Sequence, residues 1–101
     1  MNVLLLVAFL LVSPCKGKPE LQPRAKVTCA EARKTALRKL GGKGLRVKSA
    51  ELEEENGKLV YSFDVQSKGK SGVDEVQVDA ITGEVVSVKH ESAADEAKEK
   101  D

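Results

Sequence analysis

The sequence predicts an α+β fold, in which one N-terminal amphipathic helix packs on an antiparallel meander of three to four strands. Two patterns support this prediction. A helix-start motif precedes apolar residues at three- and four-residue spacing, and the chain beyond it alternates apolar and polar residues between glycine-containing turns. The length of 101 residues fits one domain with a small core. Because the sequence has no tryptophan, that core rests mainly on Val, Leu and Ala.

An apolar run from Met1 to Val12 opens the chain. About ten apolar residues are too few to cross a bilayer, which takes roughly 20, but they suit the core of a signal peptide. No Lys or Arg precedes the run, which departs from the usual pattern. We predict a signal peptide over residues 1–17, cleaved after Cys15 or after Gly17, and an extracytoplasmic protein, periplasmic or secreted. A buried amino-terminal strand is the alternative.

Cys15 follows the apolar core at the place where bacterial lipoproteins carry a lipidated cysteine. Pro14 stands where such proteins have a small residue, so removal of Cys15 with the leader is favoured over lipidation. Cys29 would then be the only thiol, and no intramolecular disulfide could form. Early in the helix, Cys29 suits a small buried hydrophobe. The alternative is a reactive thiol activated by the helix amino terminus.

Residues 18–26 contain two prolines and several basic residues, which predicts an unfolded linker. Solvation accounts for its charge, and contact with anionic lipid or wall polymer is the alternative. The helix begins after it, because Thr28 and Glu31 form a capping box, and Gly41 ends it in a left-handed conformation. Apolar and small residues form one stripe of this helix. The opposite side is basic and is a candidate interaction face: Arg33, Lys34, Arg38 and Lys39.

The strands follow from period-two alternation. The apolar phase changes near Ser49, which predicts a bulge in the first strand. Asn56-Gly57 predicts a tight hairpin turn before the central strand, whose inward face includes Tyr61 and Phe63. Two further strands carry apolar residues on alternate positions: Val76, Val78 and Ala80 in the third, and Val86 and Val88 in the fourth.

The turn between the third and fourth strands uses Asp79 as an acceptor for backbone N–H groups, followed by Thr82 and by Gly83 in a left-handed position. Residues 91–101 are charged and alanine-rich, which predicts a flexible tail. A helix followed by such a meander is similar in shape to cystatin-like folds.

Three landmarks together carry a family resemblance: the early Glu-Ala helix, the strand motif Gly57-Lys-Leu-Val-Tyr61, and the turn Val78-Asp-Ala-Ile-Thr-Gly-Glu-Val85. Over residues 27–90 the chain resembles a PepSY domain, the module of thermolysin-type metallopeptidase propeptides and of many small exported bacterial proteins. The resemblance implies a protein partner, with a metallopeptidase as the candidate. Because no catalytic domain follows Asp101, inhibition or chaperoning of that peptidase would act in trans.

Enzymatic chemistry has little support. His90 is the only histidine and no nucleophile or orienting residue is near it in sequence, so we predict no catalytic site, no metal site and no cofactor. The acidic residues of the first hairpin are expected to be solvated.

Charge is divided along the chain: residues 16–50 hold 11 basic and 2 acidic residues, a net of +9, and residues 51–101 hold 6 basic and 14 acidic residues, a net of −8.

This division of charge allows a second function, in which the chain is a structural or sensory component of the cell envelope. The basic helix would then bind anionic lipid, wall polymer or a membrane protein. Without aromatic stacking residues on that helix, and with export, nucleic acid is not an expected partner. We expect membrane association only if Cys15 is lipidated. The sequence does not indicate an oligomeric state.

Overall fold

The computed structural model describes residues 15–95, which form an α+β fold with one helix followed by a four-stranded antiparallel sheet. The strands lie in the order β1-β2-β3-β4, so that β1 and β4 are the edges. This confirms the predicted fold class, with four strands. The elements are α1 (Cys29–Leu40), β1 (Leu45–Glu55), β2 (Lys58–Ser67), β3 (Val73–Asp79) and β4 (Val85–Glu91).

Helix α1 begins and ends at the predicted residues. The backbone N–H of Glu31 donates to Thr28 Oγ1 over 3.1 Å, and the backbone N–H of Thr28 donates to Glu31 Oε1 over 3.0 Å. The capping box therefore satisfies two backbone donors that the helix itself leaves without partners. Gly41 follows with φ 66°, the left-handed position at which glycine avoids the steric cost of a Cβ.

The predicted hairpin and bulge both form. Asn56 and Gly57 have φ values of 53° and 77°, and they connect β1 to β2. The β1–β2 register shifts between Val47 and Ser49, where β1 holds one extra residue. Because of that residue, Val47 and Ala50 both face the helix side of the sheet although they are three positions apart.

The core lies between the sheet and α1. Tyr61, Phe63 and Val65 on β2 are almost completely buried, as are Val76 and Val78 on the neighbouring β3. Each such side chain contributes about 1.5–3 kcal/mol of burial free energy. From α1 the core receives two fully buried small residues, Ala32 and Ala36, which allow the helix backbone to approach the sheet closely.

A disulfide joins Cys15 to Cys29, with 5.7 Å between their Cα atoms. The prediction that no intramolecular disulfide could form is therefore wrong. It failed because the leader was extended over Cys15, which removed one partner from consideration. The Sγ atom of Cys15 is also the atom that a lipid thioether would require, so in this structure it is not available for lipidation. Cys29 is likewise not a free thiol.

The prediction that residues 18–26 are unfolded is also wrong. Leu21 is 7% exposed and belongs to the core cluster. Residues Gln22–Arg24 form a 3₁₀ turn, and the Arg24 guanidinium donates to Glu54 Oε2 over 2.8 Å. The prolines and lysines of this segment indicated a linker. The burial of Leu21 was not predictable, because it depends on contacts with distant strands and one isolated leucine gives no periodic apolar pattern.

Two predicted segments fall partly outside the described residues. These are residues 1–14 of the predicted signal peptide and residues 96–101 of the predicted tail. Within the described part, Cys15 to Gly17 connect to the folded domain. Glu91, the first residue of the predicted tail, is the last residue of β4 and is buried, and residues 93–95 are helical.

Candidate functional site

The two edges of the sheet differ. At β1, Lys16 forms a bridge to the strand: its backbone N–H donates to the Ala50 carbonyl over 2.9 Å, and its carbonyl accepts from the Leu52 N–H over 2.6 Å. The disulfide next to Lys16 holds this segment in place. Within residues 15–95, no segment pairs with the outer side of β4. Strand β4 therefore presents backbone donors and acceptors that another strand can use.

Strand β4 also carries exposed apolar side chains. Val86 is 43% exposed and Val88 is 44% exposed. Val88 pairs with the buried Val76 of β3, which places it on the helix side of the sheet. Val86 is the extra residue at a register shift of the β3–β4 pair, between Val85, which pairs with Val78, and Ser87, which pairs with Gln77. The sequence predicted both valines in the fourth strand. Their exposure accompanies the position of β4 at the edge of the sheet that residues 15–95 form.

The turn that leads into β4 is held by Asp79. Its Oδ1 accepts backbone N–H groups of Ile81 over 2.7 Å and of Thr82 over 3.0 Å. These hydrogen bonds lower the pKa of the Asp79 carboxyl. Gly83 has φ 82°, and the Thr82 hydroxyl accepts the N–H of Glu84 over 3.2 Å. These contacts fix the point at which β4 begins, so the predicted turn residues have a structural role.

Tyr61 ties the segment before α1 to the sheet. Its hydroxyl donates to the Val27 carbonyl over 2.6 Å, and the N–H groups of Lys26 and Val27 both donate to the Ala80 carbonyl. Burial raises the pKa of the Tyr61 hydroxyl, and the nearby Glu31 carboxylate raises it further. In turn, the hydrogen bonds from the Thr28 backbone and hydroxyl lower the pKa of Glu31. Tyr61 therefore has a structural role, because it holds the segment before α1 against the sheet.

The face of the sheet opposite α1 is polar. A chain of side-chain hydrogen bonds crosses it: Ser87 donates to Gln77, Gln77 donates to Ser62, and Ser62 donates to Glu53 over 2.7 Å. The Gln77 amide also reaches the Glu55 carboxylate at 3.3 Å. Because the members satisfy one another across four strands, this chain fixes the register of the sheet.

Three carboxylates lie together on the same face. Oxygen atoms of Asp64, Glu75 and Glu91 come within 4.8 Å of one another. Carboxylate oxygens are the ligands that hard divalent cations prefer. This cluster was not predicted from the sequence, because the proximity of the three residues depends on the pairing of β2, β3 and β4.

His90 has a carboxylate partner that the sequence did not reveal. Its Nδ1 lies 2.8 Å from Asp74 Oδ1, because the register of β3 and β4 places the two residues opposite each other. Ser71 lines the same shallow depression, and no hydrogen bond joins its hydroxyl to His90.

The basic residues on α1 were predicted as an interaction face. Lys34, Arg38 and Lys39 are exposed, and Arg33 is half-buried. Lys34 and Arg38 line one open depression with Leu45 at the end of the helix. Whether these side chains contact a partner stays a prediction.

No helix formed by residues 15–95 has the length and apolar character needed to cross a membrane. A family model described as peptidase propeptide and YPEB domain, PepSY, matches residues 26–89. Searches of curated proteins and of solved structures returned no match. The matched range includes α1 and strands β1 to β3, and it takes in all of β4 except its last two residues. The chain therefore belongs to the PepSY family of peptidase propeptide and YPEB domains.

Proposed function

We propose that this chain is an exported, non-catalytic binding module that engages a secreted peptidase in trans, and that it inhibits the peptidase or assists its folding. The observation that carries the proposal is the open edge of β4 in a chain of the peptidase propeptide family. Thermolysin-type metallopeptidases are the proposed partners, because the family module occurs in their precursors.

Strand addition is the proposed mode of contact. An extended segment of the peptidase would pair with β4, and its backbone would supply most of the affinity. The exposed side chains of Val86 and Val88 would add apolar contact with the new strand. Edge β1 is less suited to this role, because Lys16 already occupies the backbone groups of Ala50 and Leu52.

The disulfide supports export. Disulfides persist in oxidising compartments and are rare in the cytosol. The bond also requires Cys15 to remain in the exported chain, so we propose that the leader is removed before Cys15 rather than after it. This replaces both cleavage positions that the sequence suggested.

The test is a titration of the purified full chain against metallopeptidases secreted by its host, with residual peptidase activity and complex formation as readouts. We expect a complex at micromolar concentration. Replacing two exposed apolar side chains of the edge by charge, Val86→Lys with Val88→Lys, should weaken the complex at least tenfold, because a desolvated lysine opposes strand pairing.

Ile81→Lys is the matched control, since Ile81 is 47% exposed and lies in the turn rather than in β4. It should leave the affinity within about twofold. Failure to form any complex, or to alter peptidase activity, would remove the proposed function. If the β4 double variant binds the peptidase as tightly as the parent does, the proposed binding function stands but the β4 edge is rejected as its contact surface.

A further inference from the structure

We propose that one end of the molecule, here called the basic end, binds the surface of an anionic lipid bilayer by charge attraction. The proposal is independent of the peptidase. It is carried by six exposed cations that the fold collects from three segments: Arg38, Lys39, Lys43, Arg46, Lys68 and Lys70.

The fold brings these segments to one place. Strand β1 starts where β2 ends, with Leu45 paired to Ser67. The last turn of α1 meets the same corner, because Arg38 and Leu45 line one depression. The Lys68 N–H donates to the Gly44 carbonyl over 3.0 Å, which fastens the β2–β3 turn to the loop after the helix.

The charges of the basic end are not neutralised within the domain. None of its six side chains forms an ion pair with a residue between 15 and 95. The nearest acidic residues along β3 and β4 are Asp74 and Glu91. Asp74 contacts His90 and lines one depression with Lys70, and Glu91 is buried. Among the described residues, these six cations are therefore without an ion-pair partner, and their side chains are exposed to an external anion.

The opposite end of the sheet has the reverse charge. The β1–β2 hairpin carries Glu51, Glu53, Glu54 and Glu55, and of these Glu54 is paired with Arg24. An anionic surface would attract the basic end and repel the hairpin. The molecule would thus bind in one orientation, with its strands directed away from the bilayer surface.

A bilayer fits this end better than a single polymer chain does. Four of the cations line open depressions rather than an enclosed groove: Arg38, Arg46, Lys68 and Lys70. The residues that line these depressions include no aromatic side chain on which a ligand ring could stack. Attachment would also require no lipid on Cys15, whose sulfur is in the disulfide.

The test compares sedimentation of the full chain with vesicles of neutral phosphatidylcholine and with vesicles that contain about 30% phosphatidylglycerol, in about 0.1 M salt. The difference between the two isolates charge attraction, because both kinds of vesicle present the same hydrocarbon and differ in headgroup charge. Each lysine near an anionic surface raises partitioning about fivefold, so the triple variant Lys43→Gln, Lys68→Gln, Lys70→Gln should lose about a hundredfold.

A matched triple variant makes the same change of net charge elsewhere: Lys16→Gln, Lys18→Gln, Lys26→Gln. It should keep partitioning within about fivefold of the parent, since those lysines belong to the amino-terminal segment. Equal losses in both variants, no preference for anionic vesicles, or preference that survives about 1 M salt would each overturn the proposal. Binding to soluble polyphosphate without binding to vesicles would overturn it in favour of a polymer ligand.

Discussion

Removal of the disulfide is the perturbation whose effect the structure defines most clearly. The bond joins residues 14 apart in sequence, so it closes a loop of about 15 residues. In the chain-entropy account, such a loop contributes about 3 kcal/mol to the free energy of unfolding, because the cross-link restricts the unfolded chain. We therefore expect the double variant Cys15→Ser, Cys29→Ser to be less stable by about this amount.

The assay is thermal unfolding followed by circular dichroism. For a domain of this size, 1 kcal/mol corresponds to a Tm shift of about 4–8 °C, so the double variant should melt about 12–24 °C below the oxidised parent. The parent with its disulfide chemically reduced is the matched control, and it should melt close to the double variant because both lack the cross-link. Equal Tm values for the oxidised parent and the double variant would refute the reasoning.

Three further predictions concern the core, a tight turn and pH. Phe63→Ala should destabilise the domain by about 3–5 kcal/mol in denaturant unfolding, because a fully buried ring leaves a cavity; an unchanged midpoint would contradict the core assignment. Gly72→Ala should lower the free energy of unfolding by at least about 1 kcal/mol more than Gly57→Ala does. Both glycines have positive φ, but only at Gly72 would a Cβ overlap a backbone atom, the Glu91 carbonyl oxygen. Equal losses in the two variants would count against this close approach. The lowered pKa of Asp79 means that its contribution to stability is present above its unfolded-state pKa and is lost as pH falls through its folded-state pKa. The Tm difference between parent and Asp79→Asn should therefore be largest at neutral pH and disappear in acid, and a constant difference would contradict the assigned role.

Local features of the fold were predictable from the sequence because their partners are close along the chain. Thr28 and Glu31 are three residues apart, and the hairpin at Asn56-Gly57 depends only on its own backbone angles. The bulge near Ser49 was visible because the apolar alternation changes phase there. Such signals locate helices, strands and turns along the chain reliably, but they do not show which elements pack against each other.

The features that escaped prediction all depend on long-range placement. The disulfide was missed because Cys15 was assigned to the leader, and Leu21 because one apolar residue has no periodicity. The pairing of His90 with Asp74 follows from the register of two strands rather than from spacing. Which edge of the sheet stays open was not predicted either, since exposure of a strand edge depends on what the remaining chain covers.

Hydrogen–deuterium exchange of the β4 amides, with and without a host metallopeptidase, tests the central claim most directly. The account predicts that peptidase binding slows exchange in residues 85–91, while exchange in the β1 strand stays unchanged. A complex in which the β4 amides exchange as fast as in the free protein would contradict it.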